Sequence, residues 1–317
     1  MGALAEFLNS QEKVKKKEIT MQSPILTADR LSQSYTAAID ALCTIARTYF
    51  FEQGKTAKAL HFLHTAQQLL EGDEVKPQDR CKFLLQYASI LATAHHQTHE
   101  DAALLFSTIR EANQLAETLN DQQQRADVLS VLGQAHYTTT LSARIDSGKS
   151  PNCSQAEGDY AEALTHQQQA LELREALHDT RGMSESHFLI GLVHERWGQS
   201  EQAREHYRQA IQLAEQYGHL YERTEPTRHL AWYAFLGKKD LDEALAYAQQ
   251  ALALREAANF QPYLPFDHLL LSDIYKAKGE TAKALLHAQK AVLLAEETGS
   301  QSFIAFTSER LEGLNKL

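Results

Sequence analysis

From about residue 30 onward, apolar side chains recur every three to four positions with charged and amide side chains between them, the period of one-sided helices. In the second half of the chain the pattern itself repeats. Ala203, Tyr207, Ala210, Ile211 and Leu213 share their spacing with Ala244, Ala248, Ala251, Leu252 and Leu254, and with Ala284, Ala288, Ala291, Val292 and Leu294. Ala163, Gln167, Ala170, Leu171 and Leu173 precede them in the same register, and the central alanines Ala170, Ala210, Ala251 and Ala291 follow one another at 40, 41 and 40 residues. The spacing i, i+4, i+7, i+8 puts each set on one helical face, and alanine there lets a second helix approach closely.

A partner helix precedes each of these. Ile190-Gly191, then His194 and Gly198, lead into Ala203; Leu271-Ser272, then Tyr275 and Gly279, lead into Ala284. A small residue stands at the crossing, a ring follows one turn later, and glycine ends the helix where a left-handed backbone is wanted. With drift, Gly54, Ala59, Leu63 and Ala66 mark a first unit, Leu105, Ile109 and Ala112 a second in which Glu100 replaces the glycine, and Leu132-Gly133 with His136 the opening of a third.

A small residue, a ring, a turn glycine and then two alanines seven apart resemble the tetratricopeptide repeat family, whose standard unit is about 34 residues. Units of 40 or 41 look like the longer variety of kinesin light chains and of bacterial peptide-responsive regulators, as do the blocks Ala170–Ala176 and Ala251–Ala257. The resemblance implies an all-α, right-handed α-solenoid of about six helix-turn-helix hairpins over residues 30–317. Gly299-Ser300 then opens a capping helix that carries Phe303, Ile304, Phe306, Leu311 and Leu314 to cover the last apolar face.

Two segments fall outside the repeat. Residues 1–29 read as a flexible N-terminal arm. From Ala112 to Ala170 is 58 residues, one unit plus 18, and the turn-rich run Ser147-Gly148-Lys149-Ser150-Pro151-Asn152-Cys153-Ser154 locates the excess as an insertion at about 141–158.

Composition narrows the function classes. Only 14 Gly and 6 Pro interrupt long runs of good helix formers. The net charge of −10 argues against a general footprint for nucleic acid, and the run Lys13, Lys15, Lys16 and Lys17 reads as a solubilising stretch of the arm. Cys43, Cys81 and Cys153 form no disulfide or zinc pattern, and the chain shows neither a secretory leader nor a run of roughly 18 apolar residues. A cytoplasmic protein without a membrane span is expected, and the sequon Asn152-Cys153-Ser154 carries no weight without a leader.

Candidate chemistry is thin. Ala143 with Gly148-Lys149-Ser150 fits the loose form of a phosphate-binding loop, but no apolar strand precedes it to hold the amides in a cradle. His95 and His99 have the i, i+4 spacing of metal ligands, yet lie where the second hairpin should turn. His61 and His64 are weaker candidates, while His136 and His194 take the ring position of the repeat as packed residues. No nucleophile arrangement accompanies the acid–base pairs around Glu185 and Glu195, so no enzyme, cofactor or metal is expected.

The resemblance instead implies a ligand along the concave face lined by the first helix of each hairpin. The matching positions are Arg47 and Phe50 in the first unit, Asp127, Gln134 and Tyr137 in the third, and Glu185, Leu192, Glu195 and Arg196 in the fourth. Arg228, Trp232 and Phe235 follow in the fifth, with Asp273 and Lys276 in the sixth. Aromatics and arginine amid mixed charge are the composition of binding hot spots. The expected partner is a protein or peptide with both signs of charge, held by an adaptor; the alternative is a sensor of a peptide or small molecule that changes solenoid pitch. The Lys/Asn carboxylate clamp of chaperone-binding members is not apparent.

Overall fold

The computed structural model describes residues 28–71, 75–98 and 102–315, and among these every regular element is helical. Within the described residues, thirteen α-helices form six antiparallel hairpins and a closing helix. The hairpins are α1 (Ala28–Arg47) with α2 (Thr56–Gln68), α3 (Pro77–Thr98) with α4 (Ala102–Leu119), and α5 (Gln122–Asp146) with α6 (Ala161–Ala176). They continue with α7 (Thr180–Arg196) and α8 (Ser200–Tyr217), α9 (Thr224–Trp232) and α10 (Leu241–Ala257), and α11 (Leu264–Ala277) with α12 (Thr281–Thr298), before α13 (Gln301–Asn315) closes the stack. The arm expected over residues 1–27 lies outside the described residues, and Ala28 and Asp29 already belong to α1.

The repeat positions do what their spacing implies. Ala170, Ala210, Ala251 and Ala291 have no exposed surface. At the crossing of α7 and α8, a Cβ on Gly191 would stand 2.6 Å from the Tyr207 ring and 3.2 Å from the Ala203 carbonyl, so only glycine permits this approach. Gly198 and Gly279 end the first helices of the fourth and sixth hairpins at φ near +70° and +77°.

The first and fifth hairpins break this regularity in one way. From the crossing alanines Ala46 and Ala231 to Ala59 and Ala244, the chain is one residue longer than from Gly191 to Ala203. The additional residue is taken up by π-helical turns, Thr48–Glu52 and Tyr233–Lys238. Gly237 is thereby drawn into the helix, and Lys239 takes the left-handed position at φ +57°.

Hairpins three and four are copied by hairpins five and six, a relation that the stronger alanine rhythm conceals. Arg174 and Arg255, Ser186 and Asp267, His187 and His268, and His206 and His287 are matched pairs. Arg174 reaches from α6 to Gly182 O (2.9 Å), Ser186 Oγ (2.8 Å) and Glu185 (2.8 Å) on α7 and to Ser130 Oγ (3.2 Å) on α5. Arg255 reaches from α10 to Asp267 on α11 and Glu225 on α9. Both arginines are buried, and each joins the first helix of its own hairpin to the first helix of the next.

The stack also closes on itself. The backbone amide of Gln261, in the turn before α11, donates to the Phe51 carbonyl at the end of the first hairpin's π turn (2.7 Å). Phe51 packs on Phe260 with ring centroids 5.4 Å apart, and Phe260 meets Tyr221 and Tyr263 edge-on. Tyr263 shares a hydrogen bond with Thr93 of α3. In α13, Phe303 and Leu314 are buried against the stack as expected of a cap, but Phe306 is 45 % exposed and turns toward the interior of the superhelix.

Candidate functional site

The first helices of hairpins three to five, α5, α7 and α9, surround a cavity of about 740 Å³ that Thr93 of α3, Tyr263, Phe266 and Phe306 border from the other side. Of the residues expected on the concave face, Gln134, Tyr137, Glu185, Leu192, Glu195, Arg196, Arg228 and Trp232 line it together.

The others are placed elsewhere. Phe50 is fully buried within the first hairpin, and Arg47 covers the Phe51 ring at 5.1 Å. Asp127 faces Arg174 (3.4 Å) behind the wall. Asp273 is paired with Arg310 of the closing helix, and Lys276 is exposed. Phe235 packs in the core of hairpins five and six. The π turn explains this shift, because an inserted residue advances the register by one and brings Leu236 to the cavity wall instead.

The polar wall is a set of interlocked ion pairs. Glu195 accepts from the Tyr207 hydroxyl (2.8 Å) and from His229 Nδ1 (2.8 Å), while Arg228 donates to His229 Nε2 (3.1 Å) and to Glu225 (2.6 Å). Burial would raise the Glu195 carboxyl, but His229, Arg196 and the Tyr207 hydroxyl outweigh it and hold it at about 2. Burial likewise opposes the charge on Glu225, and Arg228 and Arg255 beside it still keep its carboxyl well below the usual range. Both carboxylates are therefore ionised at neutral pH. Glu185 and Glu222 are taken by Arg174 and Arg181. The apolar side is made by Phe188, Leu189, Leu192, Trp232 and Leu236.

The insertion belongs to this site. Arg144, at the end of α5, donates to the carbonyls of Ser150 (2.7 Å) and Asn152 (3.2 Å) and to Glu157 and Asp159, folding residues 147–160 back on themselves. The Cys153 amide donates to Arg196 O (2.9 Å) and Trp197 Nε1 to Asp159 O (2.8 Å), which ties the loop to the end of α7. Pro151 and Asn152 thus reach the cavity. These contacts join residues on different hairpins outside the repeat, and the only sequence signal for them was the insertion's position.

The remaining candidates resolve as structure. The amides of Ser147, Gly148 and Lys149 bond to Ala143, Ile145 and Arg144 carbonyls in a helix C-terminus, so the phosphate-loop pattern offers no cradle. Contrary to the expected turn, α3 continues through Thr98; His95 is buried in it, and His99 lies outside the described residues. Cys153, Glu157 and Asp159 present ligand atoms within 4.8 Å of one another, but Arg144 already occupies the two carboxylates. His136 and His194 are half-buried, stacked on His166 and His206.

Residues 152–216, spanning the insertion's end, the second helix of hairpin three and hairpin four, match the family described as Tetratricopeptide repeat. The chain is an α-solenoid that carries the tetratricopeptide pattern over these residues. No curated protein sequence matches it. Among solved structures, this solenoid is similar to a Rap protein complexed with Competence and Sporulation Factor, with a TM-score of 0.56 and 14 % identity over 88 % of this chain and 75 % of that one. It is also similar to aspartyl phosphate phosphatase F from Bacillus subtilis, with a TM-score of 0.52 and 12 % identity over 89 % and 82 %. A signal transduction ATPase with a tetratricopeptide repeat sensor from Pyrococcus horikoshii gives a TM-score of 0.51 and 18 % identity, covering 91 % of the solenoid but 42 % of that protein. At these identities the likeness is one of fold. No described helix of the solenoid is long and apolar enough to cross a membrane.

Proposed function

We propose that this solenoid is a non-catalytic adaptor, acting in the cytoplasm, whose concave cavity holds a short peptide or the end of a partner protein. The observation that carries the reading is the cavity itself. Its volume of about 740 Å³ falls in the roughly 300–1,000 Å³ range of small-ligand pockets, which suits a short segment and is too small for a folded domain. The wall pairs an apolar side with charges of both signs, so a ligand of mixed charge fits better than a purely acidic one or a nucleic acid. A structure of the same fold, the Rap protein, is described in complex with Competence and Sporulation Factor, which offers a precedent for a ligand on such a scaffold.

Trp232→Ala and Arg228→Ala test this reading. Peptides and proteins retained by the native chain, identified by mass spectrometry and remade, should bind each variant about tenfold more weakly or worse, as for aromatic and arginine hot spots. Unchanged affinity in both variants rules the cavity out.

A second reading, a sensor that changes pitch on binding, is favoured by the contact between Phe51 and Gln261, a small seam between distant hairpins whose parting would change the pitch of the stack. Small-angle scattering with and without a bound peptide distinguishes them; identical dimensions count against the sensor.

A further inference from the structure

Two histidine pairs bring ring nitrogens face to face across the helices of a hairpin. His187 of α7 and His206 of α8 stand 3.1 Å apart between Nδ1 atoms, and His268 of α11 and His287 of α12 stand 3.0 Å apart in the same way. Each member of the second pair follows its counterpart by 81 residues, so the contact is copied with the hairpin. None of the four lines the cavity. Each pair joins two helices rather than two turns of one, so the spacing of metal ligands along a single helix does not reveal it.

We propose that the first pair, His187 with His206, is the seat for one divalent transition-metal ion of the kind imidazole holds (zinc, nickel or copper), which clamps α8 to the helix whose other face carries the cavity wall. The inference does not depend on what the cavity binds. Two nitrogens sharing one ion at about 2.0–2.1 Å stand about 2.8–3.4 Å apart between a square and a tetrahedral corner, so 3.1 Å is a chelating separation as well as that of a hydrogen bond. A metal takes the neutral ring, and burial opposes the charged form of both: it lowers His187 and, with the neighbouring histidines, takes His206 to about 4. The ion then requires only that the donor ring carry its proton on Nε2 instead of Nδ1, after which both Nδ1 lone pairs face one point. Both rings are half-buried, which leaves the remaining coordination positions to water.

The surroundings separate the two pairs. The Glu175 carboxylate of α6 acts on His187 and favours a cation there. At the second pair the Lys290 ammonium acts on both rings and His268 is 5 % exposed, so a cation meets repulsion and little room for water. His194, stacked on His206 with its Nδ1 held by Gln199 (2.6 Å), backs the first pair without joining it. The copy is thus a control of like geometry and opposite charge.

Titration calorimetry of the untagged full chain with Ni2+ and with Mg2+ at neutral pH tests the seat. One Ni2+ should bind ahead of any weaker uptake, and Mg2+, which takes oxygen ligands, should not. His187→Gln and His206→Gln should each weaken Ni2+ about tenfold or more, since even groups that only orient a ligand cost that much. His268→Gln with His287→Gln should leave it unchanged, as should Cys153→Ser, which removes the thiol of the separate group formed with Glu157 and Asp159. Lys290→Glu should add a second ion at the copy. The one-to-one Cu2+ complex of the native chain needs no variant, and its electron paramagnetic resonance should show two imidazole nitrogens. Circular dichroism checks that the variants fold. Absence of Ni2+ binding up to millimolar concentration overturns the seat, as does Mg2+ bound equally well. Binding undiminished in both His187→Gln and His206→Gln means an adventitious ion only and overturns it too. A Cu2+ spectrum without two imidazole nitrogens overturns it even where a variant unfolds. Loss of the ion in the His268→Gln, His287→Gln variant, or no second ion in Lys290→Glu, overturns the choice between the pairs.

Discussion

Arg174 and Arg255, at equivalent positions of the third and fifth hairpins, perform the same task in two places: each leaves the last turn of a second helix and inserts its guanidinium between the first helices of two successive hairpins. The shape match between hairpins is thereby supplemented by a charge that only one register satisfies.

For Arg255 the consequence is measurable. Its removal as Arg255→Ala leaves Asp267, which has no exposed surface, without its main counter-charge, and stability should fall by about 3–5 kcal/mol. Arg255→Met combined with Asp267→Leu replaces the pair by apolar volume and should recover most of that loss, since Glu225 keeps Arg228. Urea denaturation of the two variants checks both statements; a single variant that loses under about 1 kcal/mol would show the staple to be idle.

The paired histidines set an acid limit. His187 and His206 face each other at 3.1 Å between Nδ1 atoms, and His268 and His287 at 3.0 Å, a bond that one ring must donate and the other accept. Burial, with the neighbouring histidines, lowers His206 to about 4; burial, with His287 and Lys290, does the same to His268. His194 stacks on His206, Tyr275 stacks on His287, Glu175 acts on His187 in the opposite sense, and Lys290 also lowers His287. The folded state thus binds fewer protons than the unfolded one, so this stability is present above pH 6.5 and is lost as pH falls toward 4. The loss should be on the order of 2 kcal/mol per pair. His268→Gln with His287→Gln should flatten the melting temperature between pH 6.5 and 4.5 relative to the native protein; parallel curves would refute the assignment.

Closure is the third target. Phe260 is 2 % exposed and packs between Phe51 of the first hairpin and Tyr221, with Arg255 over its face at 5.5 Å. Phe260→Ala should cost about 3–5 kcal/mol and raise the radius of gyration measured by small-angle scattering. An unchanged radius would mean that the Gln261–Phe51 bond and the Tyr263–Thr93 contact hold the seam without the ring.

What was legible in the sequence follows from how far each signal reaches. The hairpin rhythm is carried by residues such as Ala203, Ala210 and Gly191, whose size is dictated by contacts inside a single hairpin, so their spacing already names the fold. Most of the cavity wall on α5, α7 and α9 followed from the same register. Phe235 misplaced itself because a single additional residue became a π turn, which composition does not announce. The seam between Phe51 and Gln261 joins the first hairpin to the last and belongs to no repeat position, and the grip of Asn152 on Arg196 lies in a segment without periodicity. The pairing of Arg174 with Arg255 was present in the sequence but hidden under the stronger alanine period.

A solenoid whose units touch only their neighbours behaves as a spring, in which a disturbance at one coil fades along the stack. The strut from Phe51 to Gln261 makes this one a hoop. Tension between the first and sixth hairpins is carried by that strut and by the α7–α9 arc on the opposite side, so a guest that widens the arc must load the strut, and a partner that grips the first hairpin pulls on the cavity from a distance.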